Sequence, residues 1–301
     1  MTWMTNRFLF VLMVISLSYY ALALESIKKP FLWEVTKGKQ HFYLFGTMHL
    51  GDPQLQRLPS SLKRAIDSSD EVRTEIPMDI TTQLNITSMM MRQDHITLKE
   101  MIPIALYQRT QKYLQSINPQ MTLEAFNSMK LWAVTTMIAL IKNQIQYPTL
   151  QPIDSLIYHY AQQQEKGVDG IESASEQIEA MDKFTHAEHL AMLESTLDYL
   201  ETHSGFIEEM KSVYMSGSQK KMIKLILSTM QQNPKYKVLE EKFMKVLLYD
   251  RNIKMLQRIE SLVQENPEKT YLFAFGVMHF LGDKSIIDFL LCNGYDVSRV
   301  K

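Results

Sequence analysis

Hydrophobic positions at the two ends of the chain form the short runs that are typical of β-strands. Near the start, a turn-forming "TKGK" separates two such runs, "FLWEV" and "FYLF", and this predicts a β-hairpin. A helical pattern, "LPSSLKRAIDSSD", and a short strand, "EVRTEIP", come next. The far end repeats this order with a strand "TYLFAF", a helix "KSIIDFLLC" and a final strand "YDVSRV".

Between residues 78 and 267 the hydrophobic spacing is that of helices. The segments "KLWAVTTMIALIKN" and "HLAMLESTLDYLE" show it clearly, and glycines and prolines mark breaks, including Gly167 to Gly170. The pattern predicts an α/β (α+β) fold. Its sheet core is built from two β-α-β halves, residues 24–77 and 268–301, with a large helical insertion, residues 78–267, between them.

The first residues have the features of a signal peptide, expected to span residues 1–23. Arg7 precedes an apolar run that ends in Ala21-Leu22-Ala23, an A-x-A-like cleavage site. The run is shorter than the ~20 residues that a membrane-spanning helix needs. We therefore expect cleavage, no stable membrane span afterwards, and a periplasmic or secreted protein, with an uncleaved anchor as the alternative.

Composition narrows the classes of partner. Lys and Arg total 32 against 33 Asp and Glu, so charge gives no case for nucleic acid or a polybasic membrane contact. The single cysteine, Cys292, excludes an intramolecular disulfide and a zinc site built from cysteines. Because Cys292 lies in an apolar helical run, we expect it in the core. Nothing in the sequence predicts the oligomeric state.

One phrase occurs twice, as "FGTMHLGD" and as "FGVMHFLGD", each time after a predicted strand. We expect Gly46 and Gly276 to let the backbone leave the strand in a conformation closed to other residues. If the halves pair about an approximate two-fold axis, His49 and His279 converge beyond the carboxyl ends of the strands, where ligands bind in open α/β sheets. Such a pair could bind a divalent metal or supply a general base. Alternatively, each histidine only satisfies a backbone group beside its turn.

The longer runs around these phrases resemble the TraB/GumN/Tiki family. They are "LWEVTKGKQHFYLFGTMHLGD", "LPSSLKRAIDSSDEVRTEI", "GVDGIESASEQ", "LYDRNIKML" and "TYLFAFGVMHFLGDKSIIDFLLCNGYDVSRV", and together they cover residues 31–301 in order. The animal members of that family are metal-dependent proteases. Its bacterial members are mostly uncharacterised or act against peptide pheromones.

Carried over by position, the family's functional residues fall on His49, His279, Glu75 in "RTEIP" and Arg251 in "DRN". The resemblance implies that His49, His279 and Glu75 bind a divalent metal, Mn, Co or Zn, with positions open for water and substrate. Arg251 would hold a substrate carboxylate or stabilise the developing oxyanion. Glu75 could instead be the general base. A further match, "GIES" with Glu172, implies no particular role.

The resemblance implies an exported metal-dependent hydrolase that cleaves peptide bonds in a peptide or protein substrate. The alternatives are a non-catalytic periplasmic protein that sequesters peptide or haem, and a metal-free hydrolase in which His49 is the base. A second histidine pair, His186 and His189, is three residues apart on a predicted helix. It lacks a third ligand nearby, and we expect both side chains to be exposed.

Overall fold

A six-stranded mixed sheet joins the two ends of the chain in the computed structural model, which describes residues 27, 29–230 and 233–300. The predicted signal peptide, residues 1–23, lies outside the described residues. The strands are β1 (Leu32–Lys37), β2 (Gln40–Thr47), β3 (Glu71–Thr74), β4 (Gly167–Gly170), β5 (Tyr271–Gly276) and β6 (Asp296–Arg299).

Helices make up most of the rest of the described chain. The α-helices are α1 (Ser60–Asp67), α2 (Ile80–Met90), α3 (Leu98–Met101), α4 (Ile104–Ile117), α5 (Leu131–Gln146), α6 (Ile153–Gln163), α7 (Ala174–Asp182), α8 (His186–Thr202), α9 (Phe206–Ser216), α10 (Gln219–Met230), α11 (Lys237–Met244), α12 (Asp250–Glu265) and α13 (Ile286–Cys292). Four 3₁₀ turns, at Pro53–Leu55, Leu123–Phe126, Pro234–Tyr236 and Val277–Phe280, and one π-helical turn, Lys245–Tyr249, lie between them.

The strand order is β4-β3-β5-β2-β1-β6. β5 lies in the middle and runs parallel to both of its neighbours, β2 and β3, and β4 continues the parallel part beyond β3. The predicted hairpin is present as β1 and β2, with Gly38 at φ 59 in its turn. The predicted α/β fold is confirmed.

The central strand β5 is a continuous buried run, because both faces of the sheet are covered. Tyr271 to Phe275 are each at most 1% exposed. Phe273 meets Phe42 of β2 edge to face, with ring centroids 5.7 Å apart, and Phe275 stacks on Phe280 at 5.6 Å. Aromatic packing therefore holds β2, β5 and the turn after β5 in one arrangement.

The segment between the terminal halves is helical, as expected, except for one strand. Gly167–Gly170, expected as a break, forms the edge strand β4. Its sequence, "GVDG", has one apolar residue and two glycines, so it carries almost no β-strand signal. A separate apolar cluster joins α4, α5 and α8 through residues such as Leu114, Val134 and Leu193.

Two expectations about burial are wrong. Cys292 is exposed; it is the last residue of α13, a helix whose buried residues are Ile286 and Leu290. His189 is buried, at 8% exposure, with its ring 6.1 Å from that of Phe184. His186 is exposed as expected and contacts the carbonyl of Met101.

None of the described helices is both long enough and apolar enough to cross a membrane. The apolar run expected to be part of the signal peptide lies outside the described residues.

An ion pair between Glu176 and Arg258 ties α7 to α12 beside the sheet. The carboxylate accepts from Arg258 at 2.6 and 3.0 Å, and Arg258 also donates to the carbonyl of Ile171. The hydrogen bond from Arg258 lowers the pKa of Glu176 to about 2. A carboxyl whose pKa is lower in the folded than in the unfolded protein stabilises the fold above its unfolded pKa and loses that effect as the pH falls.

We expect Glu176→Gln to lower the free energy of unfolding at pH 7 by about 1 kcal/mol or less, because both partners are partly exposed. The difference between variant and wild type should shrink as the pH falls from about 4.5 towards 2. Urea unfolding at several pH values measures it. A difference that is constant over this range would contradict the assignment.

Candidate active site

Parallel pairing of β2 with β5 places both copies of the repeated phrase at one edge of the sheet. Thr47 at the end of β2 lies opposite Gly276 at the end of β5. The backbone therefore leaves the sheet at the same level after β2 and after β5. His49 and His279 follow these two points by two and three residues. The convergence expected from the sequence is present, and the register of two neighbouring strands produces it.

Glu75 lies between the two imidazoles. It follows β3 directly, and its Oε1 is 3.4 Å from Nε2 of His49 and 3.5 Å from Nε2 of His279. The same oxygen accepts a hydrogen bond from the backbone N–H of Gly276 at 2.6 Å. Glu75 and His279 are each 5% exposed, whereas 54% of the His49 side chain is exposed. The site therefore opens to solvent on the side of His49.

Close approach, and not an unusual backbone conformation, requires the glycines of the repeated phrase. Gly276 has φ −48 and ψ 131, which other residues adopt freely, so the expectation about its backbone is wrong. A Cβ on Gly276 would lie 2.9 Å from Nε2 of His49 and 3.0 Å from Oε1 of Glu75. A Cβ on Gly46 would lie 2.8 Å from Cγ2 of Val277. A side chain at either position would push the site apart.

A buried polar side chain holds each imidazole from behind. Nδ1 of His49 lies 3.0 Å from Oδ2 of Asp154, and Nδ1 of His279 lies 2.6 Å from Oδ1 of Asn252. Asn252 donates its amide N–H to the carbonyl of Lys284, so its oxygen faces His279 and the imidazole donates from Nδ1. Asp154 and Asn252 are fully buried. Both rings therefore direct Nε2 towards Glu75.

Arg251 bridges two buried carboxylates. Its Nη2 donates to Glu75 and to Glu172, both at 2.7 Å, and its Nε donates to Glu172 at 3.0 Å. Nη1 donates to the carbonyl of Leu247, and Gln177 adds a further bond to Glu75 at 2.8 Å. The guanidinium thus orients Glu75 from within the protein. The contact of Arg251 with substrate stays a prediction.

A π-helical turn precedes Arg251 and Asn252. α11 passes through this turn, Lys245–Tyr249, directly into α12. Such turns are rare in helices and often occur at functional sites. Here the turn offers the carbonyl of Leu247 to Arg251, and the two consecutive side chains that follow reach Glu75 and His279.

The charges of the site shift the pKa of each group. Attraction to Asp154 raises the pKa of His49 well above its ordinary value, while burial lowers the pKa of His279 to about 4. Burial acts to raise the pKa of Glu75, but His279, His49 and Arg251 outweigh it and hold that pKa well below its ordinary value. At neutral pH Glu75 is therefore a carboxylate and His279 a neutral imidazole.

The donor atoms match those that bind a divalent metal. Two imidazole nitrogens and a carboxylate oxygen face one another, each ring with its other nitrogen bound to a protein oxygen, as in metal centres. The distances of 3.4 and 3.5 Å from Glu75 to the two nitrogens are close to the about 3.4 Å between neighbouring ligands of a tetrahedral ion with bonds of about 2.1 Å. Within the described part of the chain, however, no group of three or more His, Cys, Asp or Glu side chains is placed so that it could hold a metal ion.

Four site residues were predicted from the sequence, namely His49, His279, Glu75 and Arg251. The structure places all four in this site. The sequence did not predict the residues that orient them, namely Asp154, Thr47, Gln177 and Asn252. Asp154 stands in "QPIDSL" at the start of a helix, where an acidic residue needs no further explanation.

Comparison with known proteins gives the class of the chain. The model of the TraB/PrgY/gumN family matches residues 31–299, and the chain belongs to this family. No solved structure matches the chain.

Several relatives carry names that state an activity. A protein named "Metalloprotease TIKI homolog" from Amphimedon queenslandica is 24% identical over 92% of this chain and 62% of its own length. "Metalloprotease TIKI2" from Danio rerio is 23% identical over 89% of this chain and 60% of its own length. A further relative, "Uncharacterized protein YbaP" from Escherichia coli K12, is 22% identical over 83% of this chain and 87% of its own length. The chain thus spans about three fifths of the TIKI relatives.

We expect Gly276→Ala to lower the free energy of unfolding by roughly 1–3 kcal/mol, because the new methyl group meets His49 and Glu75. The matched control is Gly205→Ala, since a Cβ there meets nothing within 4 Å. Its effect should stay within about 0.5 kcal/mol. Denaturant unfolding of both variants measures this, and equal stabilities would show that the close approach does not matter.

Proposed function

We propose that this protein is a metal-dependent hydrolase that cleaves peptide bonds, with His49, His279 and Glu75 holding a divalent ion. One observation carries the proposal: a single oxygen of Glu75 lies within 3.5 Å of Nε2 of both histidines, and buried partners fix both rings from behind. The names of the TIKI relatives support the reaction class.

If His49, His279 and Glu75 hold a divalent ion, it would supply a Lewis acid and would lower the pKa of bound water. The three side chains that would hold the ion differ in exposure. His279 and Glu75 form the buried wall, and His49, which is about half exposed, faces the substrate side. Metal ligation by His49 requires Nε2 to carry no proton, while Nδ1 keeps the proton that faces Asp154.

The contacts of Arg251 support a task other than binding substrate or the oxyanion. Most of its donors are bound to Glu75, Glu172 and the carbonyl of Leu247. We infer that Arg251 and Glu172 act on the reaction by fixing the orientation of Glu75, whether Glu75 is a metal ligand or the general base.

Export is part of the proposal and rests on the sequence pattern of residues 1–23. A peptide or protein substrate outside the cytoplasm would meet the exposed side of His49. Catalytic turnover of a peptide distinguishes this function from the alternative, a periplasmic protein that binds peptide or haem without cleaving it.

We expect His49→Ala and His279→Ala to lose at least 10-fold in affinity for Mn²⁺, Co²⁺ or Zn²⁺, and to lose peptide cleavage with it, because each removes one of three ligands. Elemental analysis, metal titration and cleavage of a peptide library measure this. The control is His95→Ala, an exposed histidine outside the site, which should behave as wild type. Equal metal content and activity in all four proteins would refute the proposal.

The role of Arg251 is tested by Arg251→Lys together with Glu172→Gln. A lysine cannot bridge two carboxylates as the guanidinium does. If Arg251 orients Glu75, both variants should weaken metal binding by about 10-fold. If Arg251 instead binds substrate, Arg251→Lys should raise KM and leave metal affinity unchanged, and this outcome would contradict the inference.

A further inference from the structure

Asp154 is a fully buried carboxylate that the proposed reaction uses only to hold the ring of His49. It stands in the first turn of α6 and is 0% exposed. Its Oδ1 accepts a hydrogen bond from the hydroxyl of Thr47 at 2.5 Å, and its Oδ2 lies 3.0 Å from Nδ1 of His49. Within the described residues no lysine or arginine forms an ion pair with it.

Burial of a carboxylate costs several kcal/mol unless a positive charge or hydrogen bonds compensate. The described bonds to Asp154 come from one hydroxyl and one imidazole, and both belong to the segment that carries His49. A carboxylate at the start of α6 could favour that helix through its dipole, but a solvated position would serve as well. The buried contact with His49 therefore calls for a role at the imidazole.

The two imidazoles of the site have chemically different partners. Behind His279 stands the neutral amide of Asn252, whose orientation is set by its bond to the carbonyl of Lys284. Behind His49 stands the carboxylate of Asp154, which can only accept. A carboxylate on the far nitrogen fixes the tautomer of a ligating histidine and makes the ring a stronger base.

We propose that Asp154, held in place by Thr47, is a positioning residue for His49. It binds the proton on Nδ1, so that the neutral ring presents the lone pair of Nε2 towards Glu75. This inference rests on the proposed function, because it assigns to His49 the tautomer that ligation requires.

The contacts of Thr47 support this assignment. Thr47 is the last residue of β2, is 1% exposed, and uses its hydroxyl to hold the oxygen of Asp154 that does not face His49. The strand end thus fixes the carboxylate, and the carboxylate fixes the ring two residues further along. A rotation of the carboxylate would break both bonds at once.

The direct test reads the tautomer without metal and without turnover. Ring ¹⁵N NMR of the metal-free protein, at a pH where His49 is neutral, shows which nitrogen carries the proton. Wild type should show the proton on Nδ1. Asp154→Asn, whose amide can donate to that nitrogen, should move the population towards the Nε2-protonated form, as an analogous Asp-to-Asn change does in a Ser-His-Asp triad.

The second readout is metal affinity. Asp154→Asn should weaken binding of Zn²⁺ or Co²⁺ by about 10–100-fold. Thr47→Val is the milder variant, because it removes only the hydroxyl, and it should weaken binding by several-fold without loss of folding. The matched control is Asp67→Asn, the same substitution at another carboxylate that contacts α6, where it accepts a hydrogen bond from Tyr160. It should match wild type in tautomer and affinity.

The outcomes separate the two proposals. If wild-type His49 carries its proton on Nε2, or if Asp154→Asn leaves the tautomer unchanged, Asp154 does not position the ring and the inference is overturned. A second outcome is that the tautomers are those expected but neither the wild type nor any variant binds metal. The positioning role would then stand, and the proposed metal-dependent function would fail.

Discussion

The in-register pairing of β2 with β5 is the constraint on which the candidate site depends. Thr47 opposite Gly276 brings both histidine-bearing loops out of the sheet at one level. A shift of β2 by one residue would turn its buried aromatic residues to the opposite face of the sheet. The aromatic core, including the contact of Phe42 with Phe273, thereby fixes the distance between two imidazoles that are far apart in the sequence.

The groups that face one another and the groups that orient them come from different parts of the chain. The strand ends supply His49, Glu75 and His279. The segment between the terminal halves supplies their partners, which lie on α6, α7, α12 and the loop before α7, namely Asp154, Gln177, Arg251, Asn252 and Glu172. Because buried carboxylates are costly unless they are paired or hydrogen-bonded, this network keeps the site in one arrangement before any ligand arrives.

The sequence predicts the strands and the repeated phrase because those features are local, and the repetition in turn predicts the convergence of the histidines. A glycine and a histidine at fixed spacing after a strand can be read from a few residues. The partners cannot, because Asp154 is 105 residues from His49, and Arg251, which was predicted only through the family resemblance, is 176 residues from Glu75. The strand β4 was not predicted, because "GVDG" pairs with β3 through its backbone and has few of the side chains that are typical of strands. His189 and Cys292 show that helical spacing alone does not decide which face of a helix is covered.

The most direct measurement is anomalous X-ray diffraction from crystals soaked in Mn²⁺ or Zn²⁺, recorded at the absorption edge of the metal. The account predicts one strong peak at the edge of the sheet, within about 2.0–2.2 Å of Nε2 of His49, Nε2 of His279 and a carboxylate oxygen of Glu75. A peak elsewhere on the protein, with these three side chains free of metal, would contradict it.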